Sequence, residues 1–323
     1  MTLRIPSGTR DVLPEEMREL RRIQGALLDT FASYGYGEVS TPAVEFEETL
    51  RLADLGISPS YRVLDDGGEL LALRADMTVP IARVVATRYT TAEPPLRFCY
   101  AANAYRAVRP HRGQMREFLQ AGVELVGVPG APGTAEVLTV LCRALSATGL
   151  RGFRVGLGDA ALYPALLDAY DVPDDAQVRI LHELSTRDFV GIERELGSLG
   201  LDTAVAETLA RIPRTRGGAA VLEAAPGPLA DALSGLREVV EQLDGDVAER
   251  VIIDLGRYPR LGYYTGAMFE VYDPGLGEPL GGGGRYDDLL GRFGRPLPAV
   301  GFALGVDRLH AAIAGEERGE TAG

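Results

Sequence analysis

The chain predicts an α+β fold, an antiparallel sheet flanked by helices and carrying a helical insertion, on three observations. Apolar residues from Pro14 to Tyr36 recur every three or four positions, as a helix with one buried face requires. Several strand-like runs follow one another across short turns, which favours antiparallel pairing because parallel neighbours need a long crossover. Between Val172 and Val251 the sequence turns rich in alanine and leucine at helical spacing. With 323 residues and 46% hydrophobic composition, there is material for one large domain and a smaller insertion.

Met17, Leu20, Ile23, Leu27, Phe31 and Tyr34 form the apolar stripe of the first helix. Pro14, Glu15 and Glu16 suit its first turn, where a missing N–H is harmless and negative charge meets the helix dipole. Gly37 to Glu45 reads as a strand interrupted at Pro42. Tyr61 to Leu64 pairs with Leu70 to Leu73 across the turn Asp65-Asp66-Gly67-Gly68, a hairpin. Leu96 to Tyr105 and Arg116 to Val126 are two further strands joined by an arginine-rich loop.

The stretch Phe153 to Ala161 carries a G-x-G-x-x-A pattern. A dinucleotide site also needs a strand ending in an acidic residue about 20 positions on, and none follows. The segment therefore reads as a strand-to-helix turn with Asp159 as N-cap. Helical spacing then continues in Val178, Ile180, Leu181 and Leu184, and in Leu229, Leu233, Leu236, Val239 and Val240. The expected organisation is a core of residues 1–171 and 251–315, a helical insertion over 172–250, and a disordered tail over 316–323, whose only apolar residue is Ala322.

Composition excludes several classes of function. The formal charge of −13 weighs against tRNA or another nucleic acid as a partner, since such proteins neutralise phosphates with basic patches. No apolar run approaches the ~20 residues of a membrane span, and charged residues such as Arg4, Arg10 and Asp11 occupy the place of a signal peptide, so a cytoplasmic protein is expected. Cys99 and Cys142 stand alone, and with His111, His182 and His310 as the only histidines no metal site is expected. No cofactor is expected either.

Three groups of residues carry binding chemistry. The loop Arg106 to Arg116, with Arg109 and Arg112 between, converges guanidinium groups that suit phosphate or carboxylate, or else forms a solvated charged loop. Asp76 and Thr78, with Gln120 and Glu124 on a strand, are polar side chains that can accept hydrogen bonds. Tyr263, Tyr264 and Tyr286 offer flat walls, or plain core residues. Gly281 to Gly284 lack the Lys-Ser/Thr that completes a P-loop and read as a strand that admits close backbone approach.

These segments occur in an order that resembles the histidyl-tRNA synthetases, from Pro6 to about Leu309. The resemblance rests on Ser7 to Pro14, Arg74 to Arg83, Tyr105 to Pro110, Gln120 to Glu124, Tyr263 to Glu270, Gly281 to Asp287 and Gly301 to Leu309. It implies a class II synthetase-like antiparallel sheet and a histidine pocket of Asp76, Thr78, Gln120, Glu124, Tyr263, Tyr264 and Tyr286. It also implies carboxylate or phosphate contacts from Arg106, Arg109, Arg116, Arg260 and Arg308.

Three departures matter. Pro259 stands where the family's catalytic arginine would be, Val108 replaces the glutamate that reads adenine, and Gln114 replaces the arginine that meets the terminal phosphate. That pattern is similar to the synthetase paralogue that serves as regulatory subunit of ATP phosphoribosyltransferase in histidine biosynthesis. The resemblance implies a non-catalytic subunit, with no catalytic residues of its own and no anticodon-binding domain. Its partners would be the short-form catalytic subunit and L-histidine as feedback effector, with a homodimer inside a hetero-oligomer, a hetero-octamer. The alternative is an ATP-dependent amino-acid-activating ligase, a truncated synthetase.

Overall fold

Residues 3–53, 61–107, 115–223, 227–259 and 262–319 are described by this computed structural model. In chain order the strands are β1 (Gly37–Glu38), β2 (Val44–Phe46), β3 (Arg62–Leu64), β4 (Leu70–Leu73), β5 (Leu96–Tyr105), β6 (Glu117–Val126), β7 (Arg154–Asp159), β8 (Arg216–Gly217), β9 (Val251–Asp254), β10 (Ala267–Tyr272), β11 (Gly281–Arg285) and β12 (Ala299–Gly305). The helices are α1 (Pro14–Ser33), α2 (Glu47–Leu52), α3 (Thr78–Arg88), α4 (Gly130–Ala147), α5 (Leu162–Ala169), α6 (Asp174–Thr186), α7 (Phe189–Gly197), α8 (Thr203–Arg211), α9 (Pro228–Ala232), α10 (Ser234–Glu241), α11 (Gly245–Ala248), α12 (Leu289–Arg292) and α13 (Val306–Glu317).

Among the described residues the strands form a nine-stranded sheet, in the order β1-β5-β6-β12-β11-β10-β7-β9-β8, and a three-stranded sheet, β2-β4-β3. The expected antiparallel pairing holds through β5, β6, β12, β11, β10 and β7. It fails at two joins, where β1 pairs with β5 and β7 with β9 in parallel. Both of these partners are separated by long stretches of chain, as a parallel crossover requires.

Gly37 to Glu45 is not one interrupted strand. β1 lies in the large sheet and β2 in the small one, and the chain turns between them at Thr41 and Pro42, whose carbonyls accept from the buried Arg74 guanidinium at 2.6 and 3.2 Å. The expected hairpin is β3 and β4, with Val63 opposite Leu71 and Gly68 in the left-handed region at φ +84°, which glycine adopts without steric cost.

Strand alternation divides the large sheet into two chemically different faces. Val123 and Leu125 of β6, Val300, Phe302 and Leu304 of β12, Phe269 and Val271 of β10, and Leu157 of β7 face one continuous apolar cluster with Leu27 and Phe31 of α1 and Leu138 and Leu141 of α4. The cluster extends to Ile180 and Leu184 of α6. On the other face of β6, β12 and β11 the side chains are small or polar: Gln120, Gly122 and Glu124 lie opposite Gly305, Ala303 and Gly301, and Ala303 and Gly301 in turn lie opposite Gly282 and Gly284 of β11. This second face holds the candidate site.

Two smaller expectations are corrected. β7 runs through Asp159, paired with Ala267, so α5 starts only at Leu162 with Ala161 at its N-cap position; the Asp159 carboxylate instead accepts from the Ala161 N–H at 2.8 Å. The tail is ordered further than its composition suggests, because α13 continues through Glu317 and the Glu316 carboxylate accepts from the Gly152 N–H at 2.6 Å and the Arg151 N–H at 3.1 Å. Residues 320–323 lie outside the described residues. Segment 172–250 carries α6 to α11 and β8, and β8 pairs with β9 at the edge of the large sheet. No described helix is long and apolar enough to cross a membrane.

Candidate functional site

Glu124 lies on this second face of the sheet. Its side chain is buried, and each carboxylate oxygen takes a hydroxyl: the Thr78 hydroxyl donates to Oε1 at 2.8 Å and the Tyr286 hydroxyl donates to Oε2. Thr78 opens α3, so its hydroxyl is presented by a helix start, and Tyr286 directly follows the glycine strand β11. Burial raises the Glu124 pKa to about 8 against the opposing pull of the two hydroxyl donors.

Asp76 precedes α3 and is likewise buried, which raises its pKa, while the Val79 N–H donates to its Oδ1 at 3.2 Å. That carboxylate therefore holds the helix start as well as bordering the pocket. Gln120 lies four residues before Glu124 on β6, on the same face, and its buried Oε1 has no hydrogen-bond partner among the described residues. A buried acceptor of this kind normally takes a donor, which makes Gln120 a candidate ligand contact.

The tyrosines come together as the order of their segments in the resembled family suggests. Tyr263 packs against Tyr264 with ring centroids 4.8 Å apart and edge-on against Tyr286 at 5.8 Å. Their two segments are stitched together by Thr265, whose N–H donates to the Arg285 carbonyl at 2.8 Å and whose hydroxyl accepts from the Asp287 N–H at 3.0 Å. Arg285 is buried and donates to the Val128 and Gly130 carbonyls at 2.9 and 2.8 Å, fixing the end of β11 so that Tyr286 faces Glu124. A methyl group on Gly284 would stand 2.8 Å from the Tyr264 ring, so the glycine strand makes room for this tyrosine.

The arginines are dispersed. The Arg106 guanidinium lies 4.9 Å from the Phe118 ring centroid, and its Nε donates to the Ala75 carbonyl at 3.4 Å, beside Asp76. Arg116 meets Arg106 through the backbone, accepting from the Arg106 N–H at 2.9 Å. Arg308 directs its donors to Glu278 at 3.0 Å and the Pro279 carbonyl at 2.6 Å. Arg109 and Arg260 lie outside the described residues, as do Val108 and Gln114. Pro259 lines a cleft together with Tyr264.

Tyr100 was not among the residues expected at the site. It is fully buried on β5 opposite Gly122, and its hydroxyl donates to the Phe302 carbonyl at 3.4 Å. A methyl on Gly122 would come 2.6 Å from that hydroxyl. The signal available in the sequence was this glycine, set midway between Gln120 and Glu124 on one strand face.

Comparison with known proteins gives the family. The family model described as histidyl-tRNA synthetase matches residues 8–309. The ATP phosphoribosyltransferase regulatory subunit of Moorella thermoacetica is 41% identical over 334 residues, covering 100% of this chain and 84% of that protein. The chain belongs to this family. The regulatory subunit of Symbiobacterium thermophilum is 42% identical, covering 98% of this chain and 81% of its own length. A crystal structure from Bacillus halodurans C, titled an ATP phosphoribosyltransferase regulatory subunit/histidyl-tRNA synthetase, matches with a TM-score of 0.90 at 34% identity, covering 97% of this chain and 84% of that one. The Nostoc sp. histidyl-tRNA synthetase matches with a TM-score of 0.81 at 20% identity, covering 100% of this chain and 77% of that one, which shows the shared class II synthetase-like fold.

Proposed function

We propose that this chain is the non-catalytic regulatory subunit of ATP phosphoribosyltransferase, that it binds L-histidine on the second face of its large sheet, and that the short catalytic subunit depends on it for activity and feedback inhibition. The observation that carries the reading is the contrast between Glu124 and Pro259. Glu124 is buried with the Thr78 and Tyr286 hydroxyls on its two oxygens, beside the unfilled Gln120 acceptor. Pro259, which has no charge to offer a reacting phosphate, lies beside Tyr264 where the resemblance to the synthetases places an arginine.

Such a pocket suits a ligand rich in N–H donors with one flat ring. The ammonium of histidine meets Gln120, Asp76 and Thr78, and its imidazole meets Glu124 between the tyrosine walls. Regulation follows by linkage: histidine that binds one state of the assembly better shifts it towards that state, and the catalytic subunit alters histidine affinity in return. The decisive experiment mixes the purified chain with the short catalytic subunit. Light scattering should show a complex larger than either protein, a hetero-octamer, and phosphoribosyl-ATP formation should appear only in the mixture and fall when histidine is added. Separate elution at micromolar concentration with a histidine-independent rate would sink the reading.

A further inference from the structure

Arg257 is buried, and its side chain lies across β7 in a notch made by the two glycines of the G-x-G pattern. A methyl on Gly156 would come 2.9 Å from Arg257 Nη2, and one on Gly158 would come 2.7 Å from Arg257 Cβ. These glycines therefore serve a protein guanidinium where the pattern might have served a dinucleotide. From the notch Arg257 reaches two ways. Its Nη1 lies 2.6 Å from Glu270 Oε2 on β10 and its Nη2 donates to the Tyr272 hydroxyl at 3.0 Å, while Nη2 also lies 3.7 Å from Asp254 Oδ2 at the end of β9.

Asp254 is the anchor for segment 172–250. Its Oδ2 lies 3.1 Å from Nη2 of Arg187, which caps α6 in the left-handed region at φ +60°, and its Oδ1 lies 3.2 Å from Nε of Arg216 on β8. Glu270 is the corresponding contact on the ligand side. A methyl on Gly282 would meet Glu270 Cγ at 3.0 Å, and one on Gly284 would meet the Tyr264 ring, so Glu270 and Tyr264 lie side by side over the same glycine strand. The circuit closes through space. His182, Ser185 and Thr186 of α6 form one wall of a cleft of about 660 Å³ whose other wall includes Tyr258, Pro259 and Tyr264.

We propose that Arg257 is a positioning residue that couples the docking of α6 to the placement of Tyr264, through Asp254 on one side and Glu270 on the other. Every partner in this chain of contacts is charged or hydroxylated, and Asp254 is buried together with Arg257. Removing the central guanidinium leaves Glu270 without its ion-pair partner and takes from Asp254 the one buried arginine of its three, so both ends loosen together. The consequence for the ligand rests on the histidine reading above: a molecule that orders Tyr264 should also order α6.

Hydrogen exchange on the full chain tests this, with wild type, Arg257→Met, Arg257→Lys and Gly156→Ala, each with and without L-histidine. Without ligand, Arg257→Met should raise exchange in both 174–187 and 267–272 while leaving α1 and β6 as they are. With histidine, wild type should gain protection in 174–187, and Arg257→Met should lose that gain along with about tenfold in affinity, with Arg257→Lys recovering part of both. Gly156→Ala pushes on Arg257 Nη2, the nitrogen that faces Asp254 and Tyr272, without removing its charge, and should give the same paired loosening, which keeps the test open should Arg257→Met fold poorly. A rise confined to one segment, or equal histidine protection of 174–187 in wild type and Arg257→Met, overturns the coupling. Absence of histidine binding to wild type would instead overturn the histidine reading, and the paired exchange without ligand would still decide the role of Arg257.

Discussion

Gly301 lies directly opposite Glu124 in the ladder between β12 and β6, and a methyl group at its α-carbon would stand 1.8 Å from Glu124 Oε2. The absence of a side chain at one position is thus what allows a carboxylate at the other to lie flat on the sheet. Gly301→Ala should force Glu124 off the Thr78 and Tyr286 hydroxyls. Overpacking of this kind costs about 1–3 kcal/mol. The expected result is a lower urea midpoint together with loss of measurable histidine binding by calorimetry, and unchanged binding would show that Glu124 is not a ligand contact.

Removing the carboxylate itself separates binding from folding. Glu124→Ala takes an acceptor from a buried hydrogen bond to a charged or imidazole group, a loss of about 1.5–3 kcal/mol, which corresponds to roughly 10- to 150-fold in affinity. Isothermal calorimetry with L-histidine measures it directly.

The same residue sets a pH dependence of stability. A carboxyl whose folded pKa is raised to about 8 from its ordinary value of 4.5 holds its proton more tightly in the folded state, so folding takes up a proton within that window. Its contribution to stability therefore falls as pH rises from about 4.5 to about 8 and stays low above. Asp76, also raised by burial, acts in the same direction. Urea denaturation of the ligand-free protein across this range should show a negative slope that is shallower in Glu124→Gln, and equal slopes would refute the assignment.

Much of this arrangement is legible in the sequence, for physical reasons that differ from residue to residue. Gln120 and Glu124 are four apart on a strand, and strand periodicity alone puts them on one face. Tyr263 and Tyr286 belong to different segments, and only the family order of those segments suggested that they meet; the edge-on contact at 5.8 Å arises from the pairing of β10 with β11. The parallel joins of β1 and β9 were not legible, because short-range strand patterns carry no information about partners reached by long crossovers. Nor was the role of Arg257, since nothing local indicates that a guanidinium 99 to 101 positions from two glycines, by the numbering, will lie between them.

Arg74 shows the same limit and yields a stability prediction. It is buried and donates to the carbonyls of Thr41, Pro42 and Asn103, joining the turn between β1 and β2 to β5 two residues before Asp76. Arg74→Met leaves the buried Thr41 carbonyl without this donor, and an unsatisfied buried group costs about 1–3 kcal/mol. The variant should lose about that much in urea unfolding, about 1–3 kcal/mol. Arg74→Lys, which keeps a donor but not the fork, should recover only part of it. A loss below 1 kcal/mol in Arg74→Met, on the order of one hydrogen bond, would mean that water replaces the guanidinium.

Catalytic silence is the remaining expectation, and Pro259 makes it specific. Histidine-dependent exchange of pyrophosphate into ATP should stay at background for the wild-type chain, because activation needs donors aimed at charge that develops on the phosphate. Loss of one such donor commonly costs about 100- to 1000-fold in rate. Here the resemblance places Pro259 and Gln114 at two donor positions and Val108 at the adenine-reading position. Pro259→Arg therefore tests the argument more sharply than the wild type does. Restoring one donor should raise exchange by no more than about that single factor, from a starting point too low to reach a synthetase rate. Robust exchange by the wild-type chain would instead establish an amino-acid-activating ligase, and the pocket around Glu124 would then be a substrate site.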